Sequence, residues 1–412
     1  WPEDGEMNVG EITVKLTTTQ VFADYTIRRL QLIKKGKPSQ DLIHFHFTAW
    51  PDKDIPNTPW GLVDFEQRVA SFDKHKVTSY TPTKPIVVHC SAGVGRTGIF
   101  IALRNVMRQA EETLHMDFFT TVQTLSHARL NMIQTSNQYM FLHRAAQVAM
   151  LCIGTTVTSK DIESRIEKLG VRTSSGQTKM EEEFKSICSV CDDKEEEWIS
   201  EDNSYTVYEN SQTINNKQKN RDESILPKEA CRARLRWENG DIGDYINAVL
   251  VPSFIKQNHH ILTQLPLPST VTDFWRLVTQ YKVRIIVAFE VNMNTRDKTI
   301  AEYLPSSENS SAVSPMFKVT TEPTVKSMYL KQQKLIVSMD KALNKISNAA
   351  SEDHHVIHLT STTTDLDKKA ILSIIQHIRS LQRGQDERIL YMCRNGAEYS
   401  GLLCVLSLLL DR

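Results

Sequence analysis

The sequence is poor in the features that mark specialised chains. It has no excess of either charge: 49 basic residues balance 49 acidic ones, so no net field gathers nucleic acid or anionic lipid. Its longest nearly unbroken apolar run, residues 401–410, is too short to cross a bilayer. The first residues lack the basic and apolar regions of a signal peptide, so neither insertion nor export is expected. Seven cysteines, at 90, 152, 188, 191, 231, 393 and 404, are too sparse and irregular for a disulfide scaffold, which suggests a reducing, cytosol-like compartment. Glycine is scarce as well. There are 15 in 412 residues, about half the average usage of ~7%, yet Gly93, Gly95 and Gly98 fall within one short stretch. That stretch calls for a special backbone.

What is present is a soluble, globular composition, 40% hydrophobic with a mean hydropathy of -0.35. At 47.1 kDa the chain exceeds what one core usually serves, so two or three domains are expected. Strand-like and helix-like segments alternate. Residues 12–16, 42–47 and 85–88 read as strands, the last one buried; 61–73, 98–110, 118–130 and 138–150 read as helices. From 154 to 178 the composition turns to Thr, Ser, Lys and Gly around one helical island at 160–169, and the interdomain connection is expected there. This leaves a first domain over 1–153 and a second over 179–412. The second carries strands at 245–251, 283–289, 356–360 and 389–391, with a helix at 368–382.

The two halves repeat each other. Leu304-Pro305, Cys393 and Gly401 each lie 303 positions beyond Trp1-Pro2, Cys90 and Gly98. So long a repeat implies duplicated domains rather than a solenoid. Its register places the start of the chain well inside the first copy and the end just past Cys393, so both copies are expected to be truncated.

Chemistry concentrates at His89-Cys90-Ser91-Ala92-Gly93-Val94-Gly95-Arg96-Thr97-Gly98, between a strand signal and a helix start. Backbone amides of Ser91, Ala92, Gly93, Val94 and Gly95 can turn inward there and form a nest for phosphate at the positive end of the helix. Cys90 at its base is favoured as thiolate by the amides, the helix dipole and Arg96, which makes it a nucleophile at neutral pH. Arg96 offers a planar fork for two phosphoryl oxygens. Thr97 can hydrogen-bond the departing sulfur, and His89 reads as orienting the loop. Phosphoryl transfer through a cysteinyl-phosphate also needs a proton donor for the leaving oxygen. Asp52, in the proline-stiffened Trp50-Pro51-Asp52-Lys53-Asp54-Ile55-Pro56, is the candidate, as acid and then as base. Gln134 and Gln138 offer neutral amides to hold the attacking water. The Cys188-x-x-Cys191 pair lacks a second ligand pair for zinc and reads as helix surface.

Together these residues resemble the tyrosine-specific protein phosphatases, and the duplication resembles the tandem cytoplasmic region of their receptor-type members. The Cys-x5-Arg loop, the Trp-Pro-Asp lid, the Gln-Thr-x-x-Gln segment and the Trp1-Pro2 region stand in family order along most of the chain. The resemblance implies Cys90 as nucleophile, Arg96 as phosphate clamp, Asp52 as acid and base, and Gln134 and Gln138 as water positioners. It also implies an α/β fold of the α+β type, a twisted, mixed, mostly antiparallel sheet flanked by helices in each of the two domains. No cofactor and no metal is implied. Phosphotyrosine-containing proteins are the implied partners, with no nucleic acid. The implied location is the cytoplasmic side of the plasma membrane, and the second domain is free to make contacts within or between molecules.

The second copy departs from the pattern. Its recognition segment reads Lys219-Asn220-Arg221-Asp222, with Asp222 where an aromatic ring would stack on substrate. Its lid aligns as Thr362-Thr363-Thr364. In its loop Tyr399 replaces the clamping arginine, and Glu398 adds a charge that repels phosphate. A catalytically dead, regulatory second domain follows. Two rivals remain: a phosphotyrosine-binding scaffold without turnover, against which stands the intact Asp52, and a lipid or dual-specificity phosphatase. Against the latter stand a loop interior without lysine, the Trp-Pro-Asp lid and the duplication.

Overall fold

A computed structural model describes residues 1–51, 55–74, 85–191, 208–236, 243–289, 297–305, 311–314, 316–339, 353–361, 367–384 and 387–411. The chain divides into two units, Trp1–Ser204 and Tyr205–Arg412. In the first, β1 (Glu6–Val9), β2 (Ile12–Val21), β3 (Tyr25–Lys34) and β4 (Gln40–Phe47) form an antiparallel sheet in that order. Among the described residues six helices follow: α1 (Trp60–Lys74), α2 (Gly95–Thr113), α3 (Phe118–Ala128), α4 (Ser136–Leu151), α5 (Ile162–Leu169) and α6 (Lys179–Cys191).

The core of this unit joins β3 to the helices. Tyr25 and Ile27 pack with Leu62, Val63 and Phe65 of α1, Ile99, Leu103 and Val106 of α2, and Phe141, Leu142 and Ala145 of α4. The apolar positions of each helix recur three and four residues apart and so line one face. Burying one such side chain contributes roughly 1.5–3 kcal/mol. Arg104 ties α2 to Glu66 of α1 at 3.1 Å, with both side chains largely buried. Asp117 caps α3 through Thr120 N at 2.8 Å, and the Thr135 hydroxyl accepts from Gln138 N to cap α4.

The division between the units falls beyond the stretch 154–178 where composition places the connection. That stretch belongs to the first unit because polar contacts fold it back onto α6. Arg165 pairs with Glu183 at 2.5 Å, the Thr173 hydroxyl donates to Glu182 at 2.6 Å, and Arg172 bridges Thr178 in antiparallel fashion.

In the second unit α7 (Glu209–Gln212) and α8 (Ile214–Lys217) precede β5 (Arg232–Arg234), β6 (Tyr245–Val251) and β7 (His260–Gln264). Then come α9 (Val271–Gln280), β8 (Val283–Ala288), β9 (Ser311–Val313), β10 (Phe317–Thr321), β11 (Val325–Lys326), β12 (Leu330–Met339) and β13 (His354–Ser361). The sequence closes with α10 (Lys368–Leu381), β14 (Arg388–Cys393) and α11 (Glu398–Asp411). Among the described residues the sheet has ten strands, in the order β5-β6-β7-β14-β8-β13-β12-β10-β9, with β11 on β12. The central pairings β7–β14, β14–β8 and β8–β13 are parallel and all the others antiparallel.

Both faces of this sheet are covered, and strand alternation shows how. Leu390 and Met392 of β14 join Phe274, Trp275 and Leu277 of α9 on one side, while Ile389, Tyr391 and Cys393 join Ile374 and Ile378 of α10 and Leu403 of α11 on the other. The mixed, mostly antiparallel sheet flanked by helices is the architecture the resemblance implies.

One element differs from expectation. Residues 85–88 are not a strand, and Ile86 and Val87 are 48% and 83% exposed. An apolar run becomes a strand only where neighbours accept its backbone hydrogen bonds, and no described strand of the first unit pairs with it. The equivalent run of the second unit is β14, buried between β7 and β8.

Candidate active site

The loop from Cys90 enters α2 at Gly95 with its amides turned inward. Gly93 takes φ +71°, a left-handed conformation that glycine adopts without steric cost, and its N–H donates to the Cys90 sulfur at 3.2 Å. A side chain at Gly93 would also meet the Arg129 guanidinium at 3.4 Å. Cys90 is half-buried. Burial pushes its thiol up, but the Thr97 hydroxyl and the amides of Thr97, Gly93 and Val94 outweigh this and bring it from 9.0 down to about 7. The Thr97 hydroxyl is buried and makes no hydrogen bond of its own among the described residues, while lying close enough to Cys90 to lower its thiol.

Arg96 reaches the segment just before Asp52. Its Nη2 donates to the Pro51 carbonyl at 2.8 Å and its guanidinium lies 5.9 Å from the centre of the Trp50 ring. Trp50 in turn packs edge-on against Phe47 and Phe141, so the indole fixes the start of the lid. The physical reason is local: a carbonyl and an aromatic face lie within the side chain's reach, and both attract a guanidinium. Asp52 falls outside the described residues, as do Thr362, Thr363 and Thr364 of the second lid.

Gln134 and Gln138 are brought to the loop. A Cβ placed on Gly95 would lie 3.0 Å from both Gln134 Oε1 and Gln138 Nε2, and the Gln138 side-chain oxygen accepts from Gln134 N at 2.7 Å. Their position depends on the strained turn before them: Asn131 and Ile133 take φ +62° and +64°, and for the β-branched Ile133 this is costly. The turn is wedged against α2, where a Cβ on Gly98 would come within 2.9 Å of Ile133 N. His89 is exposed. Ser91 and Ala92 are exposed and Val94 half-buried.

Sequence reasoning missed Arg129. From the end of α3 its Nη2 donates to the Ala92 carbonyl at 3.0 Å, bracing the loop from outside. Its only signal was a cation just before the Gln134 segment, which periodicity does not distinguish from a solvated helix end. Cys188 is exposed on α6, and the Cys191 side chain is not described.

The second loop keeps the backbone and changes the contents. Gly396 takes φ +77°, matching Gly93, and Ser400 Oγ lies 3.2 Å from the Cys393 sulfur, where Thr97 serves Cys90. Yet Cys393 is 1% exposed. The Asn395 side-chain oxygen accepts from the Cys393 thiol at 3.3 Å and from the amides of Ala397 and Glu398 at 3.1 and 3.3 Å. Tyr399 stacks on Phe289. Asp222 is held by the amide and hydroxyl of Ser224 at 2.9 and 2.7 Å. Lys219 pairs with Asp273 at 2.9 Å, Asn220 accepts from Tyr245 at 2.5 Å, and Arg221 donates to the carbonyls of Leu265, Thr299 and Arg394, so this segment bolts loops together.

A cysteine over inward amides, ahead of a helix and beside paired glutamines, is an arrangement that can hold an oxyanion next to a nucleophile. The family model for protein-tyrosine phosphatases matches residues 1–147 and 216–412, and the chain belongs to that family. Over its whole length it is 29% identical to receptor-type tyrosine-protein phosphatase U of Gallus gallus, of which it spans 28%. It is 28% identical to receptor-type tyrosine-protein phosphatase zeta of Rattus norvegicus and 29% identical to tyrosine-protein phosphatase Lar of Drosophila melanogaster, spanning 17% and 20% of these. The chain thus covers less than a third of each relative. The solved catalytic domain of human protein tyrosine phosphatase non-receptor type 18 is 24% identical, with a TM-score of 0.44 over 50% of this chain and 72% of that one.

Proposed function

We propose that the chain hydrolyses phosphotyrosine on proteins through its first unit, while its second unit is catalytically silent and regulates or recruits. The observation that carries the reading is the Cys90 sulfur under the Gly93 amide, with its thiol brought to about 7. The thiolate attacks phosphorus; the bond from phosphorus to the tyrosyl oxygen breaks, and that oxygen takes a proton from Asp52. Water held by Gln134 and Gln138 then attacks the cysteinyl-phosphate and gives a proton to Asp52. The sulfur leaves as thiolate and inorganic phosphate is released. Arg96 turns from the Pro51 carbonyl to the phosphate when substrate enters. No resident cofactor takes part.

For the second unit, support comes from Asn395 occupying the amides that a phosphate would use, and from Tyr399 in place of an arginine. Resemblance to the receptor-type relatives supports a place on the cytoplasmic side of the plasma membrane and contacts through the second unit. The other reading, a phosphotyrosine-binding scaffold, draws on the engagement of Arg96 with Pro51. Phosphate release from a phosphotyrosine peptide, measured beside phosphoserine and phosphoinositide, decides between them. Release from phosphotyrosine alone supports the proposal, and binding without release supports the scaffold.

A further inference from the structure

In the second unit a cavity of about 390 Å³ opens where the end of β5, the C-terminus of α9 and the start of β14 converge. Arg234, Arg236, Gln280, Tyr281, Lys282 and Arg388 line it, so four of its six lining residues are cations. The helix end explains one of them. Arg388 Nη1 donates to the Tyr281 carbonyl at 2.7 Å, and a helix C-terminus carries only about half a negative charge. Arg234 has Glu229 at 3.5 Å, a carboxylate it shares with Arg232. Arg236 and Lys282 have no ion-pair partner among the described residues and are exposed. Among the described residues Glu229 is the one carboxylate paired to this cluster, so the four cations repel one another, and an anion between them offsets that repulsion.

The walls are built rather than loose. The Tyr281 hydroxyl accepts from Arg234 N at 2.9 Å and donates to the Arg234 carbonyl at 3.1 Å, and the Arg388 guanidinium lies 5.8 Å from the centre of its ring. Gln280 Oε1 accepts from Arg236 N at 2.9 Å, while its Nε2 is buried with no partner among the described residues. None of the residues that hold the Cys393 loop lines this cavity.

We propose that the cavity binds a compact polyphosphate, with several phosphate groups on a scaffold the size of one sugar ring, as a free solute or as a lipid headgroup. A single phosphate is satisfied by one or two forked guanidiniums. Four cations around a space within the usual ~300–1,000 Å³ of small-ligand sites suit several phosphates at once.

The test is titration of the 412-residue chain with inositol hexakisphosphate, and separately with inorganic phosphate and with phosphatidylcholine vesicles carrying phosphatidylinositol bisphosphate. Saturable binding of one inositol hexakisphosphate per chain is expected, much tighter than inorganic phosphate. The pair Arg236→Gln and Lys282→Gln should weaken it roughly 30-fold with an unchanged unfolding midpoint. Lys282→Gln alone, at an exposed position, should weaken it about fivefold and guards against misfolding of the pair. Vesicle capture lost in the same variants identifies a headgroup; soluble binding without capture identifies a solute. Equal affinity of wild type and variants, or no binding at millimolar concentration, overturns the proposal. So does displacement by random duplex DNA at equal phosphate concentration, which would make the cavity part of a nucleic-acid surface.

Discussion

The Asn395 side-chain oxygen accepts from the Cys393 thiol at 3.3 Å and from two amides of the same loop, where the first unit leaves its amides facing the Cys90 sulfur. Asn395→Ala should therefore loosen the second loop, lowering stability by roughly 1–3 kcal/mol in denaturant unfolding, without creating turnover. Cys393→Ser should leave phosphotyrosine hydrolysis unchanged, and Tyr399→Arg alone should not raise it. Activity lost with Cys393 would make the second unit a catalyst.

Cys90→Ser should abolish turnover while phosphate-mimic binding persists, because a hydroxyl stays protonated at that position. Retention of more than a few per cent of wild-type phosphate release would remove Cys90 from the mechanism.

With its thiol at about 7 rather than 9.0, Cys90 should be alkylated by iodoacetamide at a rate that rises through pH 7 and levels off by pH 8 to 9. Its contribution to folding has the sign of a depressed acid: complete above pH 9, and lost as pH falls through 7. A rate still climbing at pH 9, as for an ordinary thiol, would count against the amide cradle. Thr97→Val should shift the midpoint upward.

Gly98→Ala puts a Cβ within 2.9 Å of the Ile133 backbone nitrogen, which cannot yield as a side chain would. The turn that carries Gln134 should move. Stability should fall by roughly 1–3 kcal/mol and hydrolysis of the intermediate should slow. Wild-type thermal unfolding and burst kinetics in this variant would show that the contact is not tight.

Asp52→Ala should lower kcat by roughly 10²–10⁴-fold with little change in affinity, and Asp52→Asn should remove the alkaline limb of the pH–rate profile. A change confined to KM would recast Asp52 as a binding residue.

The sequence alone made the loop from Cys90 to Gly98 legible as a candidate site, because its features are local. A cysteine, glycines at fixed offsets and a helix start lie within ten residues, and the amides that lower the thiol belong to the same stretch. It also determined the helices, whose apolar spacing is read within one segment: 61–73 became α1 and 368–382 became α10, each within a residue or so. Tertiary structure decided the rest. Residues 85–88 and β14 have the same apolar pattern, yet only β14 is a strand, since backbone hydrogen bonds need neighbours that no local pattern supplies. Arg96 reaches Pro51, Arg129 reaches Ala92, and Gln134 meets Gly95, all pairs separated by more than thirty residues. Asn395 is the sharpest case. Its place in the loop is plain from the sequence, but whether its side chain faces solvent or fills the amide nest depends on the depth at which β14 buries Cys393.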